Sequence, residues 1–251
     1  MSPSAPRDGG GRGSAPAFYA LRPGGWRDYV TLLHLPYTAW HLSYVAIGAA
    51  LAPVLHVGWW LETTAAFFLA MGCAAHALDE LHGRPLGTRI PDRVLWAIAV
   101  VGLAGAVALG IHGAAEVSPW IWAFIVTGVF LVVAYNLELW GGVVHSDVWF
   151  ALAWGAFPVL TAYFAQTATI SVSAVLAALA CAVISGAQRA LSTPVRDLRR
   201  RVREVDGTIV RNDGTVSPID RSTLRAAPEA ALRLLSFAMP LLAAAMIVPK
   251  L

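Results

Sequence analysis

The sequence predicts an all-α bundle of about seven membrane-spanning helices. Of the 251 residues, 57% are hydrophobic and only 13% are charged, whereas an ordinary soluble domain has about 25% charged residues. Together with a mean hydropathy of +0.63, this favours a protein whose outer surface faces lipid. The count comes from seven apolar runs near the length of about 20 residues that a bilayer requires. They are Pro36–Leu55, Gly58–Leu78, Val94–Ile111, Trp120–Tyr135, Val148–Tyr163, Ile170–Ile184 and Ala230–Val248.

The N-terminal segment of the chain differs in composition from the rest. Residues 1–25 are mostly Gly, Ser, Pro, Ala and Arg, so we expect a disordered cytoplasmic terminus before a membrane domain that covers residues 26–251. Trp26–His34 is expected to form a short interfacial helix. No signal peptide is visible. Cys73 and Cys181 both lie in apolar runs and are interpreted as helix-packing residues.

The arginines are concentrated in alternate connections. One connection carries Arg84, Arg89 and Arg93, and a polar insertion at about 196–227 carries most of the others. Within it, the alternation around Asp213 and Gly214 predicts a hairpin over 207–217. Seven spans place these connections and the N-terminus on one side, which the positive-inside rule makes cytoplasmic. The sequence therefore predicts an integral membrane protein, in the plasma membrane if the source is bacterial, with no nucleic-acid partner.

A polar cluster ends the second apolar run. Helical spacing puts His76, Asp79 and Glu80 on one face, at i, i+3 and i+4. Charged groups at membrane depth are usually functional, so this cluster is interpreted as the floor of an active or binding site. The seven-span arrangement brings it to the same face as the segments Tyr135–Asp147 and Arg189–Asp197.

In these residues the chain resembles the UbiA superfamily of intramembrane prenyltransferases, over about Leu35–Arg201. The segment from Leu35 to Thr38 is similar to the start of that family's first helix. The segment from Ile47 to Leu51 is similar to the small-residue patch of the same helix. His76–Ile90 falls where the family has its first aspartate motif, and Arg196 with Asp197 falls where it has the second. Tyr135 matches a tyrosine that follows the family's fourth helix.

The chain also departs from the family's motifs. Aligned on Asp79, the first motif has His76 and Gly83 where the family has aspartates. The second has Asp197 followed by Arg201 in place of two aspartates. A lysine expected shortly after Tyr135 is missing, and the family has nine spans.

The resemblance implies an enzyme that acts on an isoprenoid diphosphate by prenyl transfer or terpene cyclisation. Ionisation of an allylic diphosphate requires the leaving group to be neutralised, usually by Mg²⁺ on carboxylates together with basic side chains. Metal ligation and catalysis then fall to Asp79, Glu80 and Asp197, with Tyr135 lining the pocket near the developing cation. The expected substrate-binding residues are Arg84, Arg189, Arg196, His41 and Asn136.

Three other interpretations remain open. A relative without catalysis would bind a lipid with the same fold. A mixed centre of His76, His145 and Asp147 with the carboxylates of the cluster would hold Zn or Fe, because imidazole suits these metals better than Mg²⁺. In a purely structural role, Asp79 and Glu80 would pair with arginines and hold loops together, and His41 would bond a neighbouring helix.

Overall fold

The computed structural model describes residues 15–251, which form a bundle of long helices with one small hairpin. The shorter elements are helix α1 (Trp26–Leu32) and strands β1 (Gly207–Val210) and β2 (Val216–Ile219), with a kinked turn of helix at Leu139–Gly142 and a 3₁₀ turn at Val248–Lys250. The long helices are α2 (Leu35–Ala50), α3 (Val57–Leu81), α4 (Asp92–Glu116), α5 (Ile121–Asn136), α6 (Asp147–Thr167), α7 (Val172–Arg200) and α8 (Arg221–Ile247).

Each predicted apolar run has a matching helix from α2 to α8, and the all-α class is confirmed for the described residues. Five of these helices, α3, α4, α6, α7 and α8, are long and apolar enough to cross a membrane, and α5 is a shorter apolar helix. Helix α2 has 16 residues, the same number as α5 and fewer than a typical span. The structure thus supports a membrane protein, while the count of seven spans stays a prediction.

The polar insertion predicted at about 196–227 overlaps the ends of two helices. α7 continues to Arg200 and α8 begins at Arg221. Asp220 caps α8: its carboxylate accepts a hydrogen bond from the backbone N of Thr223 at 2.7 Å, within a capping box. The segment between α7 and α8 is therefore residues 201–220. The ends of the two helices carry the other charged residues of the predicted insertion.

The predicted hairpin is confirmed. β1 and β2 pair antiparallel, from Gly207 opposite Ile219 to Val210 opposite Val216. Gly214 has a φ of 82°, which suits glycine. Asp213 accepts hydrogen bonds from the backbone N and the hydroxyl of Thr215, and these bonds hold the pKa of Asp213 below its usual value.

Helix α2 lies at the centre of the bundle. Trp40, Tyr44 and Val45 have no exposed surface, and α2 packs mainly against α6 and α8. Gly48 allows the close approach to α6, since a Cβ atom at this position would collide with the carbonyl oxygen of Val159. The central position of α2 places its polar side chains inside the bundle.

Two of the helices are π-helical near the middle of the bundle. The π-helical parts are Phe68–Ala75 in α3 and Leu152–Ala156 in α6. Such segments insert an extra residue into a helical turn and occur often at functional sites. Both segments contribute side chains to the cavity described below.

The predicted N-terminal segment, residues 1–25, is described from residue 15 onward. Residues 15–25 form an N-terminal strap across the bundle. Arg199 donates a hydrogen bond from Nη1 to the carbonyl of Ala15 at 2.8 Å. The backbone N of Leu21 donates to Thr31 Oγ1 at 3.0 Å, and the Arg233 guanidinium lies 4.8 Å from the centre of the Phe18 ring.

Candidate functional site

A polar cavity of about 140 Å³ lies at the end of the bundle that carries the arginine-rich connections. The N-terminal strap covers part of it with Pro16, Phe18 and Tyr19. Helices α2, α3, α5, α6, α7 and α8 supply the walls. The charged and hydrogen-bonding side chains that line it are Tyr19, His34, Tyr37, His41, His76, Asp79, Tyr135, Asn136, His145, Gln188, Arg189, Ser192, Arg196 and Arg200.

Three arginines on one face of α7 enter this cavity, and two of them have no ion pair. Arg189 donates from Nε to Asp147 at 2.9 Å and from Nη1 to the hydroxyl of Tyr135 at 3.0 Å. Arg196 donates only to the Thr193 hydroxyl at 3.4 Å, and Arg200 only to the Pro16 carbonyl at 3.4 Å. Among the described residues, no carboxylate lies within 4.0 Å of either guanidinium.

The neighbouring arginines, in contrast, are paired with a carboxylate. Glu229 accepts hydrogen bonds from Arg199 at 2.7 and 2.8 Å and from Arg233 at 2.8 Å. Buried or half-buried charges are normally paired in this way. Arg196 is half-buried yet lacks such a partner, so the cavity is built with an excess of positive charge.

Asp79 is the one carboxylate that lines the cavity among the described residues. It has no hydrogen bond or ion pair there, although Arg196, Arg200 and His145 are close enough to attract its charge. The Asp79 carboxylate therefore faces the cavity, and its role in binding a ligand stays a prediction.

Glu80 and Arg84 are not brought to the cavity. The Glu80 carboxylate is 1% exposed and accepts hydrogen bonds from the backbone N of Leu86 at 3.0 Å and of Thr88 at 2.8 Å, and from the Thr88 hydroxyl at 2.8 Å. Arg84 donates to the carbonyls of Thr88 and Ile90 and pairs with Asp92. Both side chains therefore hold the loop between α3 and α4.

Asp197 and Asp147 lie outside the cavity. Successive residues of a helix point about 100° apart, so Asp197 turns away when Arg196 faces inward. Its side chain is 51% exposed and lies 4.0 Å from Arg201. Asp147 is 80% exposed and pairs with Arg189 at the rim. The predicted metal ligands are therefore separated.

Three histidines of the cavity are held in one tautomer by backbone carbonyls. The Nδ1 atoms of His41, His76 and His145 lie 3.0, 3.1 and 3.0 Å from carbonyl oxygens. A carbonyl can only accept a hydrogen bond, so we assign the proton of each neutral ring to Nδ1 and the lone pair to Nε2. The acceptors of His41 and His76, Trp154 and Gly72, belong to the two π-helical segments.

His34 was missed by the sequence analysis. Its ring stacks on His76 with the centroids 4.1 Å apart, and its Nε2 is buried without a hydrogen-bond partner in the described chain. Burial lowers the pKa of His34 well below its usual value, and the charges of His76, Arg200 and Arg196 lower it further. His34 is therefore neutral at pH 7.

Tyr135 and Asn136 line the cavity as predicted. The ring of Tyr135 stacks on His145 with the centroids 4.4 Å apart, while its hydroxyl binds Arg189. Asn136 donates its amide hydrogen to the Val132 carbonyl at 2.7 Å. Arg200 was not among the residues predicted for the site, although its position four residues after Arg196 indicates that both share one face.

The cavity does not fit a metal cluster. Residues 15–251 contain no group of three or more His, Cys, Asp or Glu side chains that could hold a metal ion. The cavity itself combines one carboxylate with three guanidinium groups, which disfavours a cation. The structure does not bring together the predicted Mg²⁺ ligands, which are Asp79, Glu80 and Asp197. It also does not bring together the predicted Zn or Fe ligands, which are His76, His145 and Asp147.

An apolar chamber of about 120 Å³ adjoins the polar cavity. Helices α3, α4, α5 and α6 enclose it, and its lining includes Phe67, Phe124 and Phe157. Met71 and Trp154 line both spaces. Their side chains therefore form the junction between a cationic cavity and a chamber suited to a hydrocarbon.

Comparison of the chain with protein-family models, curated proteins and solved structures finds no match. The kinship with UbiA prenyltransferases thus stays a prediction that depends on the quoted motifs.

Proposed function

We propose that this protein is a divergent UbiA-like membrane enzyme that acts on an isoprenoid diphosphate. The diphosphate would lie in the polar cavity and the isoprenoid chain in the apolar chamber. The observation that carries the proposal is the pair of guanidinium groups of Arg196 and Arg200, which have no ion pair within residues 15–251 and line a cavity that adjoins an apolar chamber.

The chemistry of these groups favours phosphate as the ligand. A guanidinium binds phosphate oxygens through parallel, charge-assisted hydrogen bonds. Binding a diphosphate would give Arg196 and Arg200 the anionic partners that residues 15–251 do not supply. A long apolar chain behind that headgroup would gain the free energy of leaving water, about 0.8 kcal/mol for each buried CH₂ group.

The arginines are the main source of positive charge for the leaving diphosphate. Since the residues present do not fit a Mg²⁺ cluster, Arg189, Arg196 and Arg200 would stabilise the charge that develops when the allylic C–O bond breaks. Tyr135 would remain near the developing carbocation, as the family resemblance implies.

The expected location follows from the same arginines. They lie at the end of the bundle that the positive-inside rule makes cytoplasmic. The cavity would therefore open to the cytosol, in the plasma membrane of a bacterial cell, and would take its substrate from the inner leaflet.

One observation favours a second function, which is lipid binding without catalysis. The cavity retains a single carboxylate, Asp79, whereas the UbiA motifs supply several. A carrier or sensor of isoprenoid diphosphates would keep the arginines and lose the acidic residues. Release of diphosphate from a bound substrate distinguishes the enzyme from the carrier.

Binding of farnesyl diphosphate to the purified protein in nanodiscs tests the proposal. We expect R196Q to weaken this binding by about 10- to 100-fold, which corresponds to one lost charged hydrogen-bonding group. R201Q is the matched control, because Arg201 is 85% exposed and points away from the cavity. Binding in EDTA should stay within about threefold of binding in Mg²⁺.

Two further ligands show whether the protein recognises the phosphate headgroup, the isoprenoid chain or both. Farnesol, which has no charge, should bind far more weakly than farnesyl diphosphate. If a straight-chain alkyl phosphate binds as tightly as farnesyl diphosphate, the polar cavity binds phosphate as proposed, but the protein does not select an isoprenoid chain. Equal binding of farnesyl diphosphate by R196Q and R201Q would contradict the proposed site.

A further inference from the structure

The hydrogen bond between His41 and Trp154 puts an unprotonated nitrogen at the junction of the two spaces. Helix α2 carries His41 into the middle of the bundle, where the residue is 6% exposed. Its Nδ1 donates to the Trp154 carbonyl at 3.0 Å, and Trp154 itself lines both the cavity and the chamber. No group among residues 15–251 bonds the other ring nitrogen, Nε2.

The junction is where the reacting carbon of an isoprenoid diphosphate has to lie. In such a molecule the allylic carbon joins the diphosphate oxygen to the hydrocarbon chain. With the diphosphate at Arg196 and Arg200 and the chain beyond Met71, the allylic carbon would lie between them, in the part of the cavity that His41 lines next to Trp154. His76 and His145 also carry lone pairs on Nε2, but neither contacts Trp154 through a hydrogen bond.

We propose that His41 is the general base of the reaction, accepting on Nε2 the proton that the substrate loses after the diphosphate has left. This inference rests on the proposed function. The allylic C–O bond breaks and its electron pair leaves with the diphosphate oxygen. A C–H bond next to the cation then breaks, its electron pair forms a C=C bond, and the proton moves to Nε2. The products are a conjugated hydrocarbon and diphosphate.

The Trp154 carbonyl has a defined part in this step. It fixes the ring so that Nε2, and not Nδ1, meets the substrate, and it keeps its hydrogen bond when the ring becomes imidazolium. The aromatic ring of Phe150, 6.2 Å from the His41 ring, helps to keep water from the cation. Were an acceptor molecule prenylated instead, the proton that it loses would go to the same nitrogen.

The test compares H41N with wild type in two measurements. The amide NH₂ of asparagine can replace the Nδ1–H donor to Trp154, but the side chain has no base at the Nε2 position. We expect H41N to bind a non-ionising thio analogue of farnesyl diphosphate within about threefold of wild type. Formation of the conjugated hydrocarbon from farnesyl diphosphate should fall by about 10²- to 10³-fold, the usual range for a lost general base.

The matched control is H56N, because His56 is exposed and its hydrogen bonds involve only its backbone. H56N should form the hydrocarbon at the wild-type rate. If H41N does not fold, H41Q replaces it with the same expected loss, since an amide oxygen in place of Nε2 does not take up a proton near pH 7.

The outcomes separate this inference from the proposed function. Wild-type hydrocarbon formation by H41N, or loss of analogue binding together with hydrocarbon formation, would overturn the role of His41 as a base. Tight binding without any release by the wild type would also overturn it and would identify the carrier. A wild-type protein that binds no isoprenoid diphosphate would instead overturn the proposed function.

Discussion

Thr88 donates two hydrogen bonds to the same carboxylate oxygen of Glu80, one from its backbone N and one from its hydroxyl, each 2.8 Å long. The other oxygen of Glu80 accepts from the backbone N of Leu86. The loop after α3 is thus fixed by an acidic residue that lies next to Asp79 in the chain. Of two adjacent carboxylates, one builds the structure and the other faces the cavity.

Replacing Glu80 should therefore affect stability and spare ligand binding. In E80Q an amide NH₂ faces backbone donors, so we expect a loss of about 2 kcal/mol in the free energy of unfolding, as for a broken hydrogen bond to a charged group. Urea unfolding in detergent measures this loss. E116Q, at the exposed end of α4, should match wild type. Equal stability of E80Q and E116Q would show that Glu80 has no structural role.

The length of the isoprenoid chain should depend on the apolar chamber. Ala106 lines the chamber, whereas Ala104 on the same helix is exposed to the outside. A106F fills part of a space of about 120 Å³, so we expect it to weaken binding of geranylgeranyl diphosphate by about tenfold relative to geranyl diphosphate, because overpacking costs about 1–3 kcal/mol. Competition binding with both ligands measures the ratio.

The exposed position supplies the control for the chamber. A104F adds the same aromatic ring to the outer face of α4 and should keep the wild-type ratio of the two affinities. If A104F and A106F change the ratio equally, the isoprenoid chain does not lie in the chamber.

Acid should destabilise the protein through His34. Its folded-state pKa is lowered by burial, whereas an unfolded histidine titrates near its usual value of about 6.5. Below that pH the unfolded chain binds more protons, so the free energy of unfolding falls by up to about 1.4 kcal/mol per pH unit until the folded-state pKa is reached. Above pH 6.5 this contribution to stability is fully present.

The variant H34N isolates this contribution from the other titrating groups. His34 has a φ of 46°, a left-handed conformation that asparagine adopts more readily than most residues. Chemical unfolding at each pH gives the difference in the free energy of unfolding between H34N and wild type. We expect this difference to shift in favour of H34N as the pH falls from 7.5 to 5. A difference that is independent of pH would show that His34 does not titrate on unfolding.

Local patterns in the sequence predicted most of the fold. Apolar runs located α2 to α8, and the step from Asp213 to Gly214 located the hairpin, because both signals depend on neighbouring residues alone. Helix ends were predicted less well. The apolar pattern stops before the helix does, so α7 extended to Arg200 and beyond the predicted limit.

The site could be predicted only in part. The residues that the structure brings to the cavity are Asp79, Tyr135, Asn136, Arg189, Arg196, His41, His76 and His145, and those that it does not are Glu80, Arg84, Asp147 and Asp197. Spacing along one helix cannot tell which carboxylate faces a cavity and which faces a loop, since residues 79 and 80 differ by one step of about 100°. His34 and the N-terminal strap depend on contacts between distant segments, which no local pattern contains.

The π-helical segments tie the cavity to the number of residues in a helix as well as to their types. Deleting one residue from Phe68–Ala75 would return α3 to regular α-helical geometry and leave its two halves in their present orientation, because a π-helical turn accommodates one residue more than an α-helical turn. A deletion elsewhere in α3 would instead turn Asp79 by about 100° around the helix axis, away from the cavity. In a homologue, a one-residue gap at Phe68–Ala75 is therefore compatible with the same site, whereas a gap elsewhere in this helix is not.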